Sequence, residues 1–277
     1  MVLDFTEPGA CTVSMPAYIE GIVAENDIAH TAATPATHDL FSIAESSPRL
    51  ASDQAQKFHS CVAKLLFLCK RARPDILTAV AFLTTRVSAP TEQDQAKLSR
   101  VLGYLKGTQE LGLRLSSDGA LTHVRAYIDA SFAVHPDMRS HTGSVITVGA
   151  GAVFVKSAKQ KLNAKSSTEA ELIGLSDALG QVIWTRHFLA AQGYEMEPAT
   201  VFQDNMSTIH MVRNGAPTSE RSRHVNIKFF FAKDRVASGE IKVEYCPTED
   251  MLADLFTKPL QGELFRKLRA LLLNSRP

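Results

Sequence analysis

The 277-residue chain is 45% hydrophobic and 21% charged, a globular composition whose length fits two modest domains at about 150 residues each. Its formal net charge of +1 excludes no class of partner, because basic residues can gather on one face of a near-neutral protein. Four scattered cysteines without a CxxC pair argue against structural zinc and a disulfide framework, and no apolar run approaches the roughly eighteen residues of a membrane span.

The opening segment MVLDFTEPGACTV carries acidic residues and lacks a basic stretch followed by an apolar one, so an intracellular, cytoplasmic location is expected. After this short extended start, SMPAYIEGIVAEN predicts a helix with Pro16 in its first turn and Tyr18, Ile19, Ile22 and Val23 as the apolar stripe. Residues 31–52, rich in Ala, Thr, Ser and Pro, read as a linker. Three helices follow within 53–118, the second opened by Pro74 and the third running from Thr91 to Gly107 behind a T-x-x-D capping box.

From about residue 119 the pattern changes to strands. THVRAYIDAS alternates Val124, Ala126 and Ile128 against polar neighbours, and GSVITVGAGAVFVKSAK reads as a hairpin turning at Gly149–Gly151. Next comes a long helix containing SSTEAELIGL and closed by Gly193, then a strand ending QDN, a short helix, the helix NIKFFFAKDRVASG and a fifth strand EIKVEYC. TEDMLADLFTK and GELFRKLRALLL predict two closing helices. The order predicts a mixed α/β sheet flanked by helices, preceded by a small, mostly helical domain.

Asp129 and Asp204 each fall at the C-terminal end of a predicted strand, where ligand sites of open α/β sheets gather. Alone, each also reads as a turn former. The helix offers two glutamates, and Ser166 to Glu169 and Thr168 to Glu171 both spell a capping box. Leu172, Leu175, Leu179, Val182 and Ile183 define its buried stripe, with Glu171 roughly 60° from the stripe centre and Glu169 roughly 100° away on the other side. Glu171 therefore leans toward the sheet, and Glu169 is expected to cap the helix. Asp254, which alone would be an ordinary helix-surface aspartate, follows the fifth strand and completes a candidate set of four.

The order of these acids resembles the Asp-Glu-Asp-Asp constellation of the ribonuclease H fold. The local spelling resembles the ribonuclease H domain of copia-type LTR retrotransposon polyproteins: YIDAS with RSHTGSV, SSTEAEL, QDN, RHVNIKFFF and ADLFTKPL occur in family order over about residues 120–275. SMPAYIEGIV, RPDILTAVAFLTTRV and RVLGYLKGT resemble the segment joining the reverse-transcriptase palm to ribonuclease H in the same polyproteins. The resemblance implies a palm remnant over 1–30, a linker over 31–52, a connection or thumb-like domain over 53–118 and a ribonuclease H-like domain over 119–277.

It further implies an endonuclease acting on the RNA strand of RNA/DNA hybrids, with Asp129, Glu171, Asp204 and Asp254 as catalytic, metal-holding residues for two Mg²⁺ ions or substituting Mn²⁺. The implied partners are the hybrid and the polymerase domain of a longer polyprotein, within virus-like particles, with no membrane. No Tyr-x-Asp-Asp motif is present, so polymerisation is not expected. Departures are Gln203 where the family has Cys, Asn226 where it has Asp, and no histidine in the loop Cys246–Glu249.

Lys156, Lys159, Lys161 and Lys165 precede the glutamate helix, while Arg221, Arg223, His224 and Lys228 form a second basic group. Both are candidates for phosphate contacts, although lysine runs often simply face solvent. Trp184 lies away from the helix stripe, where plain packing is the expected use and a partly exposed ring facing nucleic acid or the preceding helical domain is the alternative; His141 and His210 read as surface or turn residues. A silent binding or assembly remnant is the alternative, favoured less because all four acids are retained. An integrase-like core is a third, disfavoured by Glu171 before the fourth strand.

Overall fold

The structure is a computed structural model and describes residues 1–117, 121–214 and 223–275. Two compact units emerge, one comprising Met1–Leu115 with Lys258–Pro277 and the other Ser116–Thr257.

In the first unit, strands β1 (Val2–Asp4), β2 (Ala10–Ser14) and β3 (Leu113–Ser116) form a small sheet in that order. The extended start is thus a hairpin rather than a single segment. Helix α1 (Pro16–Glu25) buries Ile19 and Ile22 and carries its proline in the first turn, where a missing N–H costs nothing. Helices α2 (Ser52–Cys69), α3 (Leu77–Thr84) and α4 (Glu92–Lys106) follow the linker, with a 3₁₀ turn at Pro74–Ile76 before α3. The capping box of α4 is formed: the Thr91 hydroxyl accepts from the Asp94 amide, and the Asp94 carboxylate accepts from the Thr91 amide at 2.9 Å.

In the second unit the sheet order is β6 (Ala152–Lys159), β5 (His141–Thr147), β4 (Arg125–Ser131), β7 (Ala199–Gln203), β8 (Ile241–Tyr245). Pairing is antiparallel across β6, β5 and β4 and parallel across β4, β7 and β8. This is the five-stranded mixed sheet of the ribonuclease H-like fold. Helices α5 (Ser167–Ala191), α6 (Met206–Asn214) and α7 (Arg223–Ala237) surround it. Val124, Ala126 and Ile128 pack with Leu172, Leu175, Leu179 and Val182 of α5 in one apolar core, matching both predicted periodicities.

Two sequence expectations need correction. TEDMLADLFTK is not an α-helix but two 3₁₀ segments, Thr248–Asp250 and Leu252–Phe256, which bury Leu252, Leu255 and Phe256 with too few residues to propagate a helix. The closing helix α8 (Gly262–Leu273) joins the first unit rather than the ribonuclease H-like one. Its buried Phe265 packs edge-on against Tyr104, with ring centroids 5.8 Å apart, and Arg269 donates to the Tyr104 hydroxyl. Among the described residues no helix is long and apolar enough to cross a membrane.

Candidate metal centre

Parallel pairing decides where the aspartates go. β4 and β7 run side by side from Arg125 opposite Thr200 to Tyr127 opposite Phe202, so Asp129, two residues further along β4, and Asp204, just past β7, come to the same end of neighbouring strands. Helix α5 packs across one face of the sheet, over β4 and β5. An added Cβ at Gly174 would meet the Thr142 side chain at 3.2 Å, so glycine here lets the helix approach β5 without displacing Thr142. Gln160 pins the first turn from the other side, donating to the Ala170 carbonyl at 2.8 Å and the Thr142 hydroxyl at 2.9 Å. Glu171 follows Ala170 and is buried.

One carboxylate oxygen each from Asp129, Glu171 and Asp204 lies within 4.8 Å of the others. Asp129 and Glu171 are buried and Asp204 is half-buried, a strongly anionic corner of the sheet. Glu169 has the capping role instead: its amide donates to Ser166 Oγ, and its carboxylate accepts from the Lys165 amide at 2.8 Å. Asp254 stands outside the trio at this spacing. It is buried in the segment Leu252–Phe256, and its carbonyl accepts from the Thr257 amide at 3.3 Å. The Thr257 hydroxyl in turn donates to Asp129 Oδ2, so the turn that carries Asp254 is docked on Asp129.

Two features went unseen in the sequence. Gln203 is fully buried and its amide nitrogen donates to Glu171 Oε2 at 3.2 Å and to the Ile128 carbonyl at 3.1 Å. His141 is not a surface residue: every residue of β5 is buried, because neighbouring strands and α5 cover this central strand. Reading the strand as starting at Gly143 left His141 outside it. His210 is exposed, as expected.

A buried chain runs from His135 to His141 at 3.0 Å, then to Ser157 Oγ at 2.7 Å, and the Ser157 hydroxyl donates to the Phe256 carbonyl at 2.8 Å. With Ser157 donating to that carbonyl, a neutral His141 that donates from Nε2 to Ser157 and accepts at Nδ1 from His135 satisfies every contact in the chain. Burial, reinforced by His135, pushes the His141 imidazole down from 6.5 to about 3. The unfolded chain therefore takes up a proton below about pH 6.5 that the folded chain refuses. Stability should fall as pH drops from about 6.5 toward 3, by up to about 1.4 kcal/mol per pH unit from this group. Urea unfolding across this range should show a flatter pH slope in His141→Gln than in wild type; identical slopes would contradict the neutral chain.

The basic candidates are spread more widely. Lys156 is half-buried on β6, and Lys161 and Lys165 are exposed. Lys159 pairs with Asp137 at 2.5 Å, and Lys228 pairs with Asp177 of α5. Arg221 lies outside the described residues; Arg223 and His224 open α7, and their side chains lie outside them as well. Trp184 is 58% exposed and stacks on Phe188, centroids 5.3 Å apart, rather than packing inward.

No protein-family model matches the chain. Over 212 residues it is 32% identical to the retrovirus-related Pol polyprotein from transposon RE1 of Arabidopsis thaliana, a match covering 76% of this chain and 14% of that polyprotein. The chain belongs to the Pol polyproteins of copia-type transposons. It thus spans only a small part of the length of these Pol relatives. A shorter relative, the secreted RxLR effector protein 161 of Plasmopara viticola, is 36% identical over 126 residues, covering 45% of this chain and 88% of that protein. Among solved structures, the N-terminal RNase H domain of a Mycobacterium tuberculosis protein superimposes with a TM-score of 0.38 at 13% identity, over 49% of this chain and 91% of that one. In this Pol-family chain the acidic corner sits where the two parallel strands and α5 meet.

Proposed function

We propose that the chain is a ribonuclease H-type endonuclease that hydrolyses the RNA strand of RNA/DNA hybrids during retrotransposon reverse transcription. The observation that carries this reading is the convergence of Asp129, Glu171 and Asp204, distant in sequence, into one buried group of oxygens. Hard carboxylate oxygens are the donors that Mg²⁺ prefers, with Mn²⁺ as a substitute, so the donor set fits the ion. Asp129, Glu171 and Asp204 would hold a divalent pair, and Asp254, on the turn docked beside Asp129, would complete the set.

Such ions, when bound, make water nucleophilic at neutral pH and neutralise the charge developing on the leaving oxygen. The chain's own residues supply position. Thr257 holds one oxygen of Asp129 in a fixed direction, and burial keeps Glu171 from swinging into solvent. Lys161 and Lys165, exposed just before the helix that bears Glu171, support backbone-led recognition of a hybrid, through phosphates and 2′-hydroxyls. Lys156, Lys159, Arg221, Arg223, His224 and Lys228 are the further phosphate contacts in this reading. The polymerase domain of a longer polyprotein is the partner, and the helices of residues 53–118 are the connection to it.

The test is incubation of the chain with labelled RNA/DNA hybrid and with double-stranded RNA, each with Mg²⁺ and with chelator. Cleavage of the hybrid alone, and only with Mg²⁺, is expected. An intact hybrid, or cleavage that persists in chelator, would overturn the reading.

A further inference from the structure

Gln203 occupies a place that none of the four acids explains. Pairing between β4 and β7 stops at Tyr127 opposite Phe202. One residue further, where the strands part to make room for the site, the Gln203 side chain crosses the gap to the Ile128 carbonyl at 3.1 Å. The same nitrogen donates to Glu171 Oε2 at 3.2 Å. Both acceptors are oxygens, so the amide orientation is fixed: a flipped amide would set oxygen against oxygen at both contacts. The carbonyl end, Oε1, is buried and has no hydrogen-bond partner among the described residues.

One amide thereby ties together all three elements that bear the trio. Ile128 precedes Asp129 on β4, Gln203 precedes Asp204 at the end of β7, and Glu171 belongs to α5. A neutral donor is the group such a position requires. It satisfies a lone pair of Glu171 without adding charge to the site. A carboxylate there would repel Glu171, and an apolar side chain would withdraw this donor from a buried carboxylate.

We infer that Gln203 is a positioning residue for the metal centre, holding Glu171 and the parting strands β4 and β7 at the spacing a divalent cation needs. This rests on the reading of the trio as a metal site. Its role is that of an outer partner that orients a ligand, and loss of such partners typically weakens metal binding about 10- to 100-fold.

The experiment is a Mn²⁺ titration of the intact chain, wild type against Gln203→Met, by calorimetry, with thermal unfolding in chelator run in parallel. Wild type should bind saturably, and Gln203→Met should bind at least about tenfold more weakly while still unfolding cooperatively in chelator, at a temperature lowered by the loss of the donor to the Ile128 carbonyl and Glu171. Equal Mn²⁺ affinity in the two folded proteins would overturn the inference and leave the metal-site reading standing. A wild type that binds no Mn²⁺ would remove both.

A second measurement needs no variant. The side-chain amide resonances of Gln203 in the wild-type chain should shift on saturation with Mg²⁺, because their acceptor is a ligand. Resonances that stay in place under saturating Mg²⁺ would overturn the inference even if Gln203→Met failed to fold.

Discussion

Asp129→Asn and Asp204→Asn are each expected to abolish Mg²⁺-dependent cleavage of an RNA/DNA hybrid while the protein stays folded. Asparagine keeps the volume of aspartate, and in Asp129→Asn the amide oxygen can still accept from the Thr257 hydroxyl, so the local packing survives. What each variant loses is one negative charge from a corner where three carboxylates lie within 4.8 Å of one another. The remaining two acids would hold a cation less tightly than three. The loss of several kcal/mol of transition-state stabilisation corresponds to at least about a thousandfold in rate. Without metal the sign reverses, since removing one of three mutually repelling charges relieves strain. Unfolding temperatures in chelator should be unchanged or higher, and the stabilisation that Mg²⁺ confers on wild type should disappear. Full cleavage by both variants would refute the assignment.

The second large effect belongs to Gly143, opposite Asp129 in the β4–β5 ladder. A Cβ there would lie 2.7 Å from the Ala253 carbonyl, 2.8 Å from Phe256 Cβ and 2.9 Å from Thr257 Cγ2. Two of these neighbours are fixed parts of the 3₁₀ segment, so it must lift off β5. Gly143→Ala should cost about 1–3 kcal/mol, read from the urea midpoint, as overpacked cores do. It should also remove most cleavage, because the displaced segment carries Asp254 and the Thr257 contact to Asp129. Gly180→Ala is the control: nothing lies within 4 Å of its Cβ on α5, so stability should rise by about 0.5–1 kcal/mol with activity retained. A Gly143→Ala protein with wild-type midpoint and activity would mean that the segment does not seat on β5.

The sequence carried the parts of this fold that depend on periodicity. The stripe Leu172, Leu175, Leu179 and Val182 fixed which face of α5 meets the sheet, and that in turn separated Glu171, which enters the acidic corner, from Glu169, which caps. Alternation at Val124, Ala126 and Ile128 marked β4 and its direction. What stayed hidden has no local signature. ADLF reads as helix because its composition suits one, yet contact with β5 holds it as a 3₁₀ turn. His141 looked like a turn residue because its burial comes from strands on either side, a property of the whole sheet. The role of Gln203 was hidden because its two acceptors are 32 and 75 residues away in sequence. The apolar face of α8 announced a packed helix, but only its contact with Tyr104 shows which unit it completes.

The proposed chemistry depends on the three clustered acids, Asp129, Glu171 and Asp204, forming a cation site. Crystals of the chain soaked in Mn²⁺ and measured at the manganese absorption edge address this directly. An anomalous peak should appear with oxygens of Asp129, Glu171 and Asp204 at roughly 2 Å. Manganese bound elsewhere with that corner empty, or no peak at millimolar Mn²⁺, would contradict the account.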